Sequence, residues 1–215
     1  MSKRRESVTQ QVIKAVGSGP VAALLIPLGF KRQAPHFWRE TDGLFHSVNF
    51  QASQWGTSEA GQFTLNLGVS SPSLYSIFTG RSFPKNPGTV LWPINNRIGG
   101  LMPSRCDLWW QVTEVSDANK LGPEVADALR EYAIPFFESI RTEEQFNELL
   151  LGGRPVPGLT AAQRPLVGAT IAVQLGQLDV ARRLLRTALN DHRGKPFEST
   201  VRNTARELRL EVDAT

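Results

Sequence analysis

Apolar residues recur along this chain with two different periods. Between residues 37 and 70 apolar and polar positions mostly alternate, whereas on either side apolar residues return every third or fourth position. The first pattern belongs to strands and the second to helices. The sharpest local signal is Phe37-Trp38-Arg39-Glu40-Thr41, then Asp42-Gly43, then residues 44–51. An Asp-Gly pair between strand-like segments predicts a two-residue hairpin, because both central residues need positive φ. That loop length places Thr41 opposite Leu44, Arg39 opposite His46 and Phe37 opposite Val48. One face then carries Phe37, Leu44, Val48 and Phe50, and the other Trp38, Phe45, Asn49 and Gln51.

Residues 62–70 predict a third strand, with Phe63, Leu65, Leu67 and Val69 alternating with Thr64, Asn66 and Gly68. Residues 71–96 are rich in Pro, Gly and Ser. A structureless loop of that length is unusual in a compact domain, so residues 74–78 are expected to fold locally and dock. Arg97-Ile98 and residues 108–112 are two further short strand candidates.

The flanking segments read as helices. Residues 7–15 predict a short one, broken at Gly17-Ser18-Gly19-Pro20. A second starts at Pro20, with Val21, Leu24, Leu25 and Leu28 as its apolar stripe and Gly29 as its stop. Residues 123–132 predict another, continuing past Pro135 to Ile140 with a kink. Thr142 and Gln145 form a capping box that opens the next. Three more follow, near residues 161–175, 179–190 and 196–210. Strands grouped ahead of helices, without βα alternation, predict an α+β fold. The expected architecture is an antiparallel sheet of about five strands flanked by helices, followed by a C-terminal helical extension. Its divisions are a core at 1–151, a Gly/Pro linker at 152–158 and an extension at 159–215 that packs on the core.

Composition narrows this picture modestly. The chain is 40% hydrophobic and 20% charged, which is the make-up of a folded domain rather than a disordered one. Its single cysteine, Cys106, can form neither an internal disulfide nor a cysteine-rich metal site. Met1-Ser2-Lys3-Arg4-Arg5 begins like a signal peptide, but the apolar run that should follow is missing, and the stretch 21–30 is too short to span a bilayer. The expectation is a cytoplasmic protein without a membrane partner. Residues 1–151 hold 14 basic and 14 acidic side chains, and residues 152–215 hold 10 and 6, so the net charge of +4 sits in the last third.

Taken in order, Pro27-Leu28-Gly29-Phe30-Lys31, Phe37-Trp38-Arg39-Glu40, Val48-Asn49-Phe50-Gln51, Phe63-Thr64-Leu65-Asn66-Leu67-Gly68, Arg97-Ile98-Gly99 and Trp109-Trp110 resemble the bacterial family catalogued as domain of unknown function 4304. The resemblance covers about residues 10–140. It implies a small cytoplasmic α+β domain and brings no reaction with it. In the tail, Gly176, Leu178, Ala181, Leu185 and Ala188 have the spacing of half a tetratricopeptide repeat. A single copy reads as one helix hairpin packing on its neighbours, since a solenoid needs several.

Motifs for chemistry are sparse. Gly17-Ser18-Gly19-Pro20-Val21-Ala22 matches G-x-G-x-x-A, but Pro20 removes an amide where a pyrophosphate would be held, and the expected second strand runs into a hairpin. No H-E-x-x-H, Cys pair or G-x-S-x-G occurs, and His36, His46 and His192 are scattered. No catalytic residue, metal ligand or cofactor is therefore assigned. His46, opposite Arg39, reads as a cross-strand partner rather than a base. The better candidate is the polar sheet face, with Trp38, Asn49, Gln51, Asn66 and Arg97 as binding residues and Asp107 as a local partner for Arg97. Side-chain amides present both a donor and an acceptor and suit a peptide backbone, a base or a sugar. The leading reading is a non-enzymatic module with a protein partner; defence or toxin neutralisation would suit such a domain, though no residue carries it. An enzyme acting on a small polar substrate through Asn49, Gln51, Asn66 and Arg97 is the alternative. Nucleic acid is the weaker partner. Arg202, Arg206 and Arg209 form a basic stripe, but Glu198 lies one turn before Arg202 and no aromatic residue interleaves.

Overall fold

The computed structural model describes residues 6–152 and 155–212. Gly153 and Arg154 of the expected linker, and the basic start Met1–Arg5, lie outside the described residues. A six-stranded antiparallel sheet forms the centre, in the order β1 (Lys31–Gln33), β2 (His36–Thr41), β3 (Leu44–Ala52), β4 (Gly61–Ser70) and β5 (Ile94–Arg97), with β6 (Trp110–Val112) also pairing with β4. The hairpin register is the predicted one, with Thr41 against Leu44, Arg39 against His46 and Phe37 against Val48. Asp42 and Gly43 both have positive φ, 35° and 78°. β1 is a three-residue edge without alternation of its own, and it exists through pairing with β2. Ile98 does not extend β5. It opens the one-turn helix α4 (Ile98–Leu101), after α1 (Val8–Ser18), α2 (Pro20–Leu25) and α3 (Pro72–Thr79), because Gly99 turns the chain in close against the backbone of residues 106–108.

The apolar face of the sheet is covered by helices. α1 packs against β3, β4 and β6 and against both α2 and α5 (Ala118–Ala128). Its N-terminus is closed by a capping box between Ser7 and Gln10. α1 does not stop at Ala15 but runs through Ser18, and the Gly19 amide closes it by donating to the Ala15 carbonyl at 3.0 Å. Val12–Val16 is thus helical, which removes the strand that a dinucleotide-binding turn requires. Val8–Leu28 has the length and hydropathy of a membrane span, yet its residues Val12, Val16, Val21 and Leu25 are fully buried in the protein core. Leu28 departs from the expected stripe and is 39% exposed, because Pro27 sits in a tight 3-10 turn at 26–28 that rotates it outward before Gly29 at φ 84°.

Pro135 follows a π-helical turn at Leu129–Ala133, which leads into α6 (Ile134–Glu138) and absorbs the missing amide without ending the helix. α7 (Glu143–Leu151) opens on the Thr142–Gln145 capping box. The tail is α8 (Arg164–Gln174), α9 (Leu178–Asp191) and α10 (Glu198–Glu207). They bury a second apolar cluster around Leu166, Leu185, Leu189 and Val201. α8 also supplies Val167 and Ile171 to the main core, together with Val156 and Leu159 from the segment before it. That segment runs beside β5, where the Asn95 amide donates to the Pro157 carbonyl at 3.1 Å.

Two outcomes are expected. Gly43→Val should lower the stability of the protein by about 1–3 kcal/mol, because a β-branched side chain resists positive φ; a chemical-denaturation midpoint equal to wild type would contradict it. Residues 154–215 expressed alone should show no cooperative thermal transition, since α8 shares its side chains with the main core; a sharp calorimetric peak from that fragment would refute this.

Candidate functional site

Register alone gathers the polar residues. β3 and β4 pair Asn49 with Asn66 and Gln51 with Thr64, and β4 and β5 pair Asn66 with Arg97. Directly opposed residues project to the same side of a sheet, so these five share the face turned away from α1. The Asn66 amide donates to Gln51 Oε1 at 2.7 Å. Arg97 forms an ion pair with Asp107, and its guanidinium lies 5.1 Å from the Trp109 ring centroid. Trp109 Nε1 also donates to Asp107, at 3.0 Å. One row further, Gln111 donates to the opposed Gln62 at 2.6 Å. The result is a strip of amides, guanidinium, carboxylate and indole across β3, β4, β5 and β6.

The amides keep hydrogen-bonding capacity among the described residues. The carbonyl oxygen of the buried Asn66 and the amide nitrogen of the half-buried Gln51 lie at the free ends of their shared bond. The half-buried Asn49 side chain makes no hydrogen bond among the described residues. Thr64 is fully buried, and its hydroxyl has no partner among the described residues.

Trp38 lies on the same face, but its ring is engaged elsewhere. It packs on Phe45 at 5.7 Å, with the Lys31 ammonium 4.7 Å from its centroid. The segment from Phe83 to Leu91 covers this half of the sheet. Phe83 packs on Phe45 with the rings tilted, centroids 4.9 Å apart, Ser47 donates to the Pro87 carbonyl at 3.0 Å, and a Cβ on Gly68 would stand 2.7 Å from the Val90 carbonyl. The flat apolar wall expected beside Asn49 therefore forms the seat of this segment. Asn49, Gln51, Asn66 and Arg97 lie together, and Trp38 belongs to the covered half.

The opposite face holds the chain's buried charge. Arg39 Nε donates to His46 Nδ1 at 3.2 Å, and its terminal nitrogens reach Glu138 at 2.6 Å and the Leu28 carbonyl at 3.3 Å. With Nδ1 accepting, the imidazole proton sits on Nε2 and is donated to the Ile140 carbonyl at 2.7 Å. The ring stacks on Phe137 at 4.7 Å. Burial above all, reinforced by the Arg39 charge, pushes His46 down to about 4, against the pull of the Ile140 carbonyl. His46 is the cross-strand partner that the hairpin register required, held neutral inside a clamp between the hairpin and α6.

Sequence reasoning missed an open cleft of about 1090 Å³ where α1 meets the β1–β2 turn, the end of β3 and the loop at 53–60. Its lining residues share no spacing or motif that would have marked it in the sequence.

An antiparallel sheet with helices on one face and a polar strip on the other defines an α+β protein with a broad amide-rich surface. The model of the domain of unknown function DUF4304 matches residues 21–139, more than half of the chain, and the protein belongs to that family. No curated protein and no solved structure matches the chain.

The clamp sets an acid limit. Unfolded, His46 takes its proton near its ordinary 6.5; folded, it does not until about 4. The unfolded chain therefore binds more protons between these values, and stability falls as pH drops through this window, by up to about 3 kcal/mol. Urea midpoints measured from pH 7 to 4.5 should decline, and His46→Gln should flatten that decline from a lower starting value. An equally steep decline in the variant would show that other groups cause it.

Proposed function

We propose that the protein is a non-enzymatic binding module of the bacterial cytoplasm that takes a polypeptide partner at its polar sheet face. The observation that carries this reading is the alignment of Asn49, Gln51, Asn66 and Arg97 in adjacent registers. Side-chain amides offer a donor and an acceptor at one position, which matches the alternating groups of a peptide backbone. The strip lies across several strands and so favours an extended partner over a compact substrate. The groups present are suited to holding rather than reacting. Arg97 is already answered by Asp107, and His46 is on the other side of the sheet with both ring nitrogens engaged.

The test is affinity capture from the native host with mass spectrometry, comparing wild type with Asn66→Ala and Arg97→Ala. Both variants should keep the wild-type circular dichroism and weaken capture of the partner by about tenfold, since a lost hydrogen-bond partner at a desolvated site costs about 1–3 kcal/mol. Arg182→Gln, in the basic tail, should leave capture unchanged. An identical set of captured proteins across the folded variants would overturn the reading. A hydrolase and dehydrogenase screen gives the other decisive outcome: turnover present in wild type and lost in Arg97→Ala would make this face an active site.

A further inference from the structure

We infer that the cleft beside the N-terminal half of α1 is a second binding site, for a small organic anion with an apolar body and one acidic group. It uses none of the residues of the polar sheet face and stands independently of the partner proposed there. The cleft has a volume of about 1090 Å³, within reach of an ordinary small-molecule site. Its apolar lining includes Ile13, Pro35 and Phe50, contributed by α1, the β1–β2 turn and β3. Such a surface, open to water, favours a ligand with an apolar body.

The rim supplies the charge. Lys14 and Arg32 both line the cleft. Lys14 has a long contact to Glu6, which also lines the cleft; at 3.9 Å and largely exposed, this contact holds it weakly and leaves the lining with a net positive charge. Arg32 makes no ion pair or hydrogen bond among the described residues. Its planar, multi-donor guanidinium suits a carboxylate or sulfonate. His36, also in the lining, accepts a hydrogen bond from the Phe50 amide at 3.2 Å through Nδ1. That leaves its Nε2 proton as a neutral donor, and burial lowers its affinity for a second proton.

Two features describe its wall. The first is Thr9, which lines it and is only 5% exposed, its hydroxyl closed to solvent beside Gly61 and without a partner among the described residues. The second is the loop at 53–60. It is well tied down: Val8 donates to the Ser58 carbonyl at 3.0 Å, Trp55 donates through its amide to Ser53 Oγ at 3.2 Å, and Ala60 donates to Thr57 Oγ1 at 3.0 Å. It gives Ser53, Gly56, Thr57 and Ser58 to the cleft wall, a preformed surface, while the Trp55 ring, 86% exposed, lies outside the lining.

The probes are 8-anilinonaphthalene-1-sulfonate, which has the proposed chemistry, and its uncharged counterpart N-phenyl-1-naphthylamine. Binding to the full-length protein is read by dye fluorescence and by calorimetric stoichiometry. Wild type should bind one equivalent of the sulfonate. Arg32→Gln should weaken the sulfonate by about fivefold, the scale of one exposed ion pair, and leave the uncharged dye unchanged. Trp55→Ala, beside the cleft but outside its lining, should leave both dyes unchanged. Both residues are exposed, so the variants should melt as wild type does; Lys14→Gln is the second charge variant and should repeat the Arg32 result. The inference is overturned by several equivalents of sulfonate bound per chain, by equal losses of both dyes in Arg32→Gln, or by affinities unaffected by both charge substitutions.

Discussion

A slip of one residue in the pairing of β3 with β4 would turn each side chain of one strand to the wrong side of the sheet. The observed register, with Asn49 against Asn66 and Val48 against Leu67, is the constraint on which both faces rest. It puts Phe37, Val48, Phe50, Leu65 and Leu67 under the helices, where each is buried. By the same act it places the amides on the other side. The two-residue turn at Asp42-Gly43 fixes β2 against β3 with equal strictness, because its positive φ values admit few alternatives. Core and candidate site are therefore two consequences of one set of backbone hydrogen bonds.

The same register buries two groups that water would otherwise hold. Arg39 and His46 face each other on the apolar side and are 8% and 0% exposed. Such groups are tolerated in a core only when their hydrogen bonds are complete. Completion comes from far along the chain, from Glu138 and the Ile140 carbonyl, so the clamp acts only when α6 is docked. This links formation of the sheet to formation of the helical layer. Arg39 also lies over Phe30, at 4.8 Å from the ring centroid, which draws the end of the α2 segment into the same arrangement.

The polar face is divided rather than uniform. Phe83, Pro87 and Val90 close one half, using Gly68 and Gly88 as the points of closest approach. In the other half Gln111 is exposed, Asn49 and Gln51 are half-buried, and Asn66 is buried between them. The tail is joined to this framework by shared packing: α8 turns Val167 and Ile171 to the main core and Leu166 and Ala169 to the tail cluster. Its basic side chains are drawn partly into local pairs, as with Arg182 and Asp179 or Arg202 and Glu198.

Much of this was legible in the residues alone. The Asp-Gly turn, the alternation on three strands and the Thr142–Gln145 cap are local codes, and local sterics and hydrogen bonding are enough to read them. The set Asn49, Gln51, Asn66 and Arg97 was also within reach, since strand alternation gives the face and the hairpin gives the phase. What the sequence could not determine depends on contacts between distant segments. β1 has no pattern of its own and forms only because β2 offers an edge; Ile98 leaves its strand because Gly99 meets residues 106–108; Trp38 looked free until residues 83–91 closed over it. The cleft beside α1 is the clearest case. It is made of helix, turn, strand and loop residues that share no spacing in the chain, and only the docking of α1 against the sheet encloses the space between them.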